Sequence, residues 1–129
     1  MNNNQSLVKV NNGLLSALSK GFISLDVFPK ETLVLECLVA GTSFRKLENV
    51  RDELKETVRL EMKREGDNEF DHFAIALWFQ DAMVGYIPRE ENEVIARLMD
   101  AGKQFFAIIA AKKMEGNWLK LYIRVKLKE

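Results

Sequence analysis

Residues 104–128 read QFFAIIAAKKMEGNWLKLYIRVKLK, two strand-like stretches on either side of a turn. In the second stretch, apolar side chains alternate with charged or aromatic ones, which is the period of a strand with one buried face. The triplet Glu115-Gly116-Asn117 has the composition of a tight hairpin turn. The pattern therefore predicts antiparallel strands at residues 104–111 and 118–127, joined by a short turn.

Upstream of this hairpin, four more stretches have the pattern of strands. A nearly continuous apolar run at residues 33–39, which ends before Gly41, is typical of a strand buried on both faces. The other three predicted strands are residues 58–63, 73–79 and 83–87. The sequence thus predicts six strands with short connections.

Two short helices are predicted besides the strands. Residues 13–20 contain leucines at helical spacing, and a second helix is expected to begin at Pro88 and to end at Gly102. The apolar stripe of the second helix consists of Val94, Ile95, Leu98 and Met99. Antiparallel strands in this number usually close into a small barrel or curl into a half-open one. We therefore expect an α+β fold, a small six-stranded antiparallel β-barrel over residues 32–129, with residues 1–31 as an N-terminal extension.

The length and composition indicate one globular domain. The chain has 129 residues, 47% apolar and 29% charged, and a chain of this size buries a sufficient core without disulfides. Cys37 is the single cysteine, which excludes an intramolecular disulfide and a zinc site built from cysteine pairs. The first six residues lack the pattern of a secretory signal, and no stretch reaches the length of a membrane span. We therefore expect a cytoplasmic protein that does not cross a membrane.

The charge is balanced overall but unevenly distributed. The chain has 19 basic and 19 acidic residues, yet residues 103–129 contain seven basic and two acidic ones, and residues 36–102 contain nine basic and 15 acidic ones. The positive C-terminal segment fits either a solvated strand face or a positive rim that a polyanion approaches from one side. The balanced total argues against a dedicated duplex-binding protein, since such proteins are usually basic.

Residues that carry catalytic or metal chemistry are few. His72 is the single histidine, and neither it nor Cys37 has a sequence-local partner at a recognisable spacing. Residues 65–71 contain four carboxylates but lack the remaining positions of a calcium-binding loop. We therefore expect a protein that is not an enzyme and that has no metal ion or cofactor.

Three segments have a distinctive order and spacing. They are VAGTSFR at residues 39–45, LEMKREGDNEFDHFAIAL at 60–77, and VGYIPRE at 84–90, the last followed by a helix. Together they resemble the HIRAN domain, a module of fork-remodelling helicases that also occurs as a stand-alone bacterial protein. The resemblance covers about residues 34–127. It implies a compact β-barrel related to OB-folds that binds single-stranded DNA and, in helicase-fused members, grips the 3′-hydroxyl end.

The resemblance also implies which residues bind DNA. Phe44 matches an aromatic position in the loop after the first strand, and Asp71 matches an acidic position in the pocket loop. Ser43 lies where DNA-binding members often have a cation, so one phosphate contact is lost here. The implied DNA-binding set is Ser43, Phe44, Arg45, Asp67, Asn68, Phe70, Asp71, Tyr86 and Arg89.

Elementary chemistry suits these residue types to a terminal nucleotide. The rings of Phe44 and Phe70 can stack on bases. An ionised Asp71 can only accept hydrogen bonds, so it fits a sugar hydroxyl better than a phosphate. Arg89, at the start of a helix, can share a phosphate with backbone N–H groups. We expect these four side chains to converge in one open cavity.

Each assignment has a structural alternative. Asp71 can instead cap the turn that leads into the next strand, and Arg89 can pair with Glu93 four residues later. Phe70 can serve as a cover over the core, and Tyr86 can serve chiefly in packing.

The sequence thus predicts a non-catalytic nucleic-acid-binding domain that takes single-stranded DNA and its 3′-hydroxyl end in DNA repair or replication-fork processing. The expected partners are DNA ends and a helicase or nuclease. A protein-interaction module using the same groove is the main alternative, because the zero net charge and the acidic residues 36–102 fit it. A third hypothesis is a nucleic-acid hydrolase that acts through the carboxylates of residues 65–71.

Overall fold

The computed structural model describes residues 31–129, so the helix predicted at residues 13–20 lies outside the described part, as do residues 1–30 of the predicted extension. The strands are β1 (Glu31–Leu38), β2 (Arg59–Arg64), β3 (Ile75–Phe79), β4 (Ala82–Tyr86), β5 (Gln104–Glu115) and β6 (Trp118–Lys128). Within residues 31–129 one α-helix, α1, spans Glu93–Asp100, and 3₁₀ turns lie at Thr42–Phe44, Arg51–Glu53 and Arg89–Glu91. The six predicted strands are confirmed.

All six strands belong to one antiparallel sheet in the order β1-β6-β5-β2-β3-β4. The outermost strands, β1 and β4, are not joined by a ladder. Just after β1, Ala40 exchanges two backbone hydrogen bonds with Tyr86 of β4, at 2.8 and 2.9 Å, in an isolated bridge. The closed barrel is therefore not confirmed, because the two edges of the sheet meet at one residue pair.

The β5–β6 hairpin has the predicted form. Glu115 pairs with Trp118 across the turn, and Gly116 has a φ of 61°, a left-handed conformation that glycine adopts without strain. The predicted inward face of β6 is buried at four positions: Leu119, Leu121, Ile123 and Val125. These side chains form the centre of the core together with residues of β2, β3 and β5.

Strand β1 differs from its prediction as a strand buried on both faces. Leu33 and Val34 are 49% and 42% exposed, at the start of β1, an edge strand that pairs with β6 alone within the sheet. Burial on both faces requires packed layers above and below the sheet, and these do not cover both faces at this edge. That prediction is wrong for this end of β1.

The helix α1 begins later than predicted and turns a different face to the core. A 3₁₀ turn follows Pro88, and the α-helix starts only at Glu93. Ile95 is buried, whereas Val94 and Leu98, two members of the predicted stripe, are 69% and 38% exposed. The stripe prediction is therefore wrong for half of its residues. Over the described residues, the helix is too short and too polar to cross a membrane.

Candidate functional site

A cavity of about 440 Å³ lies where the loop between β2 and β3 approaches the end of β4. Its lining consists of Arg45, Asn68, Phe70, Asp71, Ala74 and Tyr86. Five of these six residues belong to the set predicted from the sequence. We call this the loop cavity. Its size falls within the range of small-ligand sites.

The loop holds its shape through the side chain of Asn68. The amide oxygen Oδ1 of Asn68 accepts hydrogen bonds from the backbone N–H groups of Phe70 and Asp71, at 2.8 and 2.9 Å. The amide nitrogen donates to Oε1 of Glu65 at 3.0 Å. Such local side-chain bonds stabilise a turn that has no regular secondary structure. The exposed ring of Phe70 is thus presented on an ordered backbone.

Asp71 has a structural role in the same loop. Its Oδ1 accepts from the backbone N–H of Phe73 at 3.0 Å, and its Oδ2 accepts from the side-chain amide of Asn92 at 2.7 Å. The alternative that Asp71 caps the turn before β3 is therefore confirmed. Each carboxylate oxygen can accept more than one hydrogen bond, so Asp71, which is half-buried and lines the loop cavity, can still receive a hydroxyl donor.

Arg64, the last residue of β2, fixes the far end of the loop. Its guanidinium donates to the carbonyl oxygens of Ala74 and His72 at 2.8 and 3.4 Å, and to both oxygens of Asp100 at 2.9 and 3.0 Å. The hydrogen bonds from Arg64 hold the pKa of the Asp100 carboxyl below its ordinary value. This bidentate pair ties the loop to the C-terminal end of α1.

Tyr86 forms the opposite wall of the loop cavity. A Cβ at Gly85 would lie 2.5 Å from the carbonyl oxygen of Ala40, so a glycine is required for the bridge that places Tyr86. The phenol donates to Oε1 of Glu65 at 2.8 Å. Burial, and then this hydrogen bond to Glu65, raise the pKa of Tyr86 above its ordinary value. The phenol therefore stays protonated and keeps donating near neutral pH.

Arg45 brings a cation into the loop cavity. Its guanidinium carbon lies 5.6 Å from the centre of the Tyr86 ring. The buried Nε atom has no hydrogen-bond partner among residues 31–129, and within that range Arg45 forms no ion pair with a carboxylate. The half-buried guanidinium therefore brings to the cavity wall a positive charge that no carboxylate within residues 31–129 neutralises through an ion pair.

The remaining predicted residues lie outside the lining of the loop cavity: Ser43, Phe44, Asp67 and Arg89, all of them exposed. Of the four side chains expected to converge, Phe70 and Asp71 line the loop cavity, whereas Phe44 and Arg89 do not. The 3₁₀ turn 42–44 directs the Phe44 ring into solvent, where it is 87% exposed. The alternative pairing of Arg89 with Glu93 is also wrong, because Glu93 binds Arg97 at 2.9 Å.

Two residues of the site were missed from the sequence. Glu65 accepts hydrogen bonds from both Asn68 and Tyr86, and Asn92 is 1% exposed and holds Asp71. Glu65 was counted only as one of several loop carboxylates. The burial of Asn92 has a signal in the sequence. It lies three and four residues before Ile95 and Ala96, so helical spacing places it on the same buried face.

Cys37 offers no reactive group. It is half-buried against the core, and burial together with the nearby charge of Glu91 raises the pKa of its thiol to about 12. The reactive thiolate is therefore scarce at neutral pH. Among residues 31–129, no group of three His, Cys, Asp or Glu side chains is arranged to hold a metal ion.

Comparison with known proteins gives the class of the domain. The model of the HIRAN domain family matches residues 33–129, and the chain belongs to that family. The HIRAN domain is known as a nucleic-acid-binding domain, and the family is a binding family rather than a catalytic one.

Two solved structures share the fold. A protein from Lactobacillus plantarum is 24% identical, with a TM-score of 0.68 over 75% of this chain and 94% of that chain. The HIRAN domain of human HLTF is 18% identical, with a TM-score of 0.56 over 78% of this chain and 82% of that chain. A search of curated proteins found no match.

Proposed function

We propose that this HIRAN domain binds single-stranded DNA and holds the 3′-hydroxyl end in the loop cavity. The observation that carries the proposal is the composition of the cavity wall. A guanidinium with no ion-pair partner among residues 31–129, a carboxylate and an exposed aromatic ring lie around one space of about 440 Å³. A phosphate, a sugar hydroxyl and a base are the three groups that these side chains recognise.

The aromatic rings supply most of the contact area for bases. Phe70 and Phe44 are 84% and 87% exposed, which is unusual for phenylalanine. Phe70 lies in the cavity wall, and Phe44 directly precedes Arg45, so a base that leaves the cavity on that side meets a second ring. Stacking on such rings contributes about 1–3 kcal/mol per base.

In this proposal, Asp71 is the residue that selects a strand with a free 3′-hydroxyl end. Its two oxygens are held by Phe73 and Asn92, so the carboxylate has a fixed direction before any ligand arrives. A 3′-hydroxyl can donate to it, whereas a 3′-phosphate presents only like charge. Arg45 then takes the phosphate on the 5′ side of the terminal sugar. Arg89, which is exposed after β4, is proposed as an outer phosphate contact.

The proposed role is binding without turnover. The side chains of the loop cavity position and discriminate a nucleotide, and they include no activated nucleophile. We place the domain in DNA repair or fork processing, where strand ends are exposed, with a helicase or nuclease as the protein that it serves.

The test uses fluorescent oligonucleotides that differ only at the 3′ terminus. We expect the full chain to bind a free 3′-hydroxyl about tenfold more tightly than a 3′-phosphate, because the blocked end loses a charged hydrogen bond and meets repulsion. Asp71→Asn should remove this preference. Glu69→Gln is the matched control, since Glu69 carries the same charge in the same loop but is exposed outside the cavity lining.

Equal binding of blocked and free ends by the unaltered chain would refute end recognition. A protein-interaction module in the same groove is the alternative, and the exposed Asp67 and Glu69 beside the cavity favour it because they attract a basic peptide. It would be supported if neither oligonucleotide bound and a lysine-rich peptide did.

A further inference from the structure

The register of the strands places the wall of the loop cavity on one continuous face of the sheet. Tyr86 of β4 lies opposite Ala76 of β3, which lies opposite Lys63 of β2. Directly opposed residues in antiparallel strands point to the same side. Lys63, Glu61 and Arg59 alternate with the buried Leu60 and Met62, so this is the side that faces away from the core. We call it the outer face.

The next row of residues extends the outer face across the sheet. Trp78 of β3 lies opposite Glu61 of β2, which lies opposite Phe106 of β5, which in turn lies opposite Lys126 of β6. Tyr86 and Phe106 are separated by three strand spacings, about 14 Å across the strands, and by one row along them. The outer face thus begins at the loop cavity and crosses the sheet toward the C-terminal strand, where the positive charge of the sequence is concentrated.

Three cations lie over aromatic rings along this face. Arg45 lies 5.6 Å from the ring centre of Tyr86, Lys63 lies 4.6 Å from that of Trp78, and Arg59 lies 3.5 Å from that of Phe106. Each contact holds a positive group close to a ring and restricts the motion of the charged side chain. The planar guanidinium of Arg59 leaves its second face open to a further planar group.

A second cavity, of about 480 Å³, lies at the far end of the outer face. Cationic, aromatic and amide side chains line it, among them Arg59, Trp78, Gln104, Phe106 and Lys128. Cations alternating with aromatic rings are the pattern of surfaces that follow a single-stranded nucleic acid, because phosphates meet the charges and bases stack on the planes.

We propose that the outer face is a path for single-stranded DNA, which carries the nucleotides upstream of the end held in the loop cavity. This inference rests on the proposed function, since the cavity fixes where the strand begins. The path runs from Arg45 and Tyr86, across Lys63 and Trp78, to the second cavity. There Arg59 covers the Phe106 ring, which is only 6% exposed, so the guanidinium of Arg59 rather than the ring is the surface that meets the DNA.

Two carboxylates compete with the DNA on this path. Lys63 lies 3.4 Å from Glu61, and Arg59 lies 3.5 Å from Glu31. The side chains of both pairs are substantially exposed, and exposed pairs of this kind are weak. A phosphate can therefore displace the carboxylate. Replacing Lys63 should therefore weaken DNA binding, whereas neutralising Glu61, its partner in the ion pair, should strengthen it.

The experiment compares a 3-nucleotide and a 12-nucleotide strand, both with free 3′-hydroxyl ends, on the full chain. Lys63→Glu with Arg59→Glu should weaken the 12-mer about tenfold or more near 0.1 M salt, reduce the slope of log K against log salt by about two, and leave the 3-mer unchanged. Lys55→Glu, an exposed lysine in the loop before β2, is the matched control for the change of charge. Glu61→Gln should tighten the 12-mer several-fold, a gain that misfolding cannot produce.

The outcomes separate the path from the cavity. The path would be overturned if the Lys63→Glu, Arg59→Glu protein lost the same affinity for both strands. It would also be overturned if neither that protein nor Glu61→Gln changed the affinity for the 12-mer. A failure of the proposed end recognition has a different signature, because it removes the preference for a free 3′ end and leaves the dependence on strand length. Loss of length dependence with end preference retained supports the path.

Discussion

The loop cavity and the outer face hold their functional side chains by different physical means. In the loop cavity, Asn68 and Asp71 are fixed by hydrogen bonds of 2.7–3.0 Å to neighbouring backbone and side chains. On the outer face, Lys63 and Arg59 lie over aromatic rings and near exposed carboxylates, contacts with little directional demand.

The difference teaches how affinity and selectivity are divided in this domain. Directional hydrogen bonds in a defined cavity discriminate one end group from another, whereas cations on an open surface attract any phosphate backbone. A change that loosens the loop should therefore reduce selectivity with little effect on the length-dependent part of binding. A change on the outer face should do the reverse.

The largest expected effect comes from Gly85→Ala. The added methyl group would lie 2.5 Å from the carbonyl oxygen of Ala40 and 2.7 Å from Cγ1 of Val39, so the bridge between Ala40 and Tyr86 must open. We expect the free energy of unfolding to fall by about 2–4 kcal/mol, because backbone has to move. Urea unfolding followed by tryptophan fluorescence measures this, and end selectivity should disappear.

Gly66→Ala is the control for this substitution. Gly66 lies in the loop between β2 and β3, its φ is not in the left-handed region, and an added methyl group would have only Arg64 within 4 Å, at 3.9 Å. The stability should change by less than about 1 kcal/mol. An equal loss for both variants would show that the bridge at Ala40 does not hold the loop cavity together.

A smaller effect is expected from Arg64→Met. The side chain of Arg64 is 15% exposed and donates to two loop carbonyl oxygens and to Asp100, so its removal breaks the charged hydrogen bonds that tie the loop to α1. We expect a loss of about 2 kcal/mol and a weaker preference for a free 3′ end. The outer-face contribution to binding a long strand should persist.

Arg97→Met provides the matched comparison. Arg97 also forms an arginine–carboxylate pair, with Glu93 at 2.9 Å, but its side chain is 65% exposed on α1. Its loss should cost about 0.5 kcal/mol and leave end selectivity unchanged. If the two arginine variants had the same effect, the assignment of Arg64 to the loop cavity would be wrong.

The sequence was sufficient for the strands and for most of the loop cavity, because both depend on local pattern. The alternation in residues 118–127 predicts one buried face, and the grouping of Asn68, Phe70 and Asp71 within four residues keeps them close in any fold. Arg45 and Tyr86 entered through the family resemblance alone. The bridge between Ala40 and Tyr86, two residues 46 positions apart, brings Arg45 and Tyr86 next to the loop.

The errors arise where the answer depends on strand order or on a buried polar group. Residues 33–39 contain the apolar run of a central strand, but no local pattern shows that β1 lies at an edge of the sheet. The face of α1 turned to the core consists of Ile95, Ala96 and Met99, and Asn92, the residue just before the helix, continues this regular stripe. A stripe drawn through apolar residues alone lies on a different face, because it leaves out the polar Asn92.

The smallest effect expected among the three variants of the site tests the hydrogen bond between Tyr86 and Glu65. Tyr86→Phe keeps the ring under Arg45 and removes the phenol that donates at 2.8 Å. We expect a loss of about 1 kcal/mol. Since the pKa of Tyr86 is raised in the folded protein, this contribution should be complete below the unfolded value of about 10 and should be lost as the pH rises through the folded pKa.

Ultraviolet titration of the phenol groups checks the shift directly. The unaltered chain should show a tyrosine component that ionises above the ordinary range, and Tyr86→Phe should remove that component. The stability difference between the two proteins, measured by urea unfolding, should be constant from pH 6 to about pH 9 and should shrink above it. A difference that grows with pH would mean that Tyr86 is ionised in the folded state, so that Arg45 rather than Glu65 governs the phenol. Arg45 would then already have an anionic partner, and the case for a phosphate in the loop cavity would lose its main support.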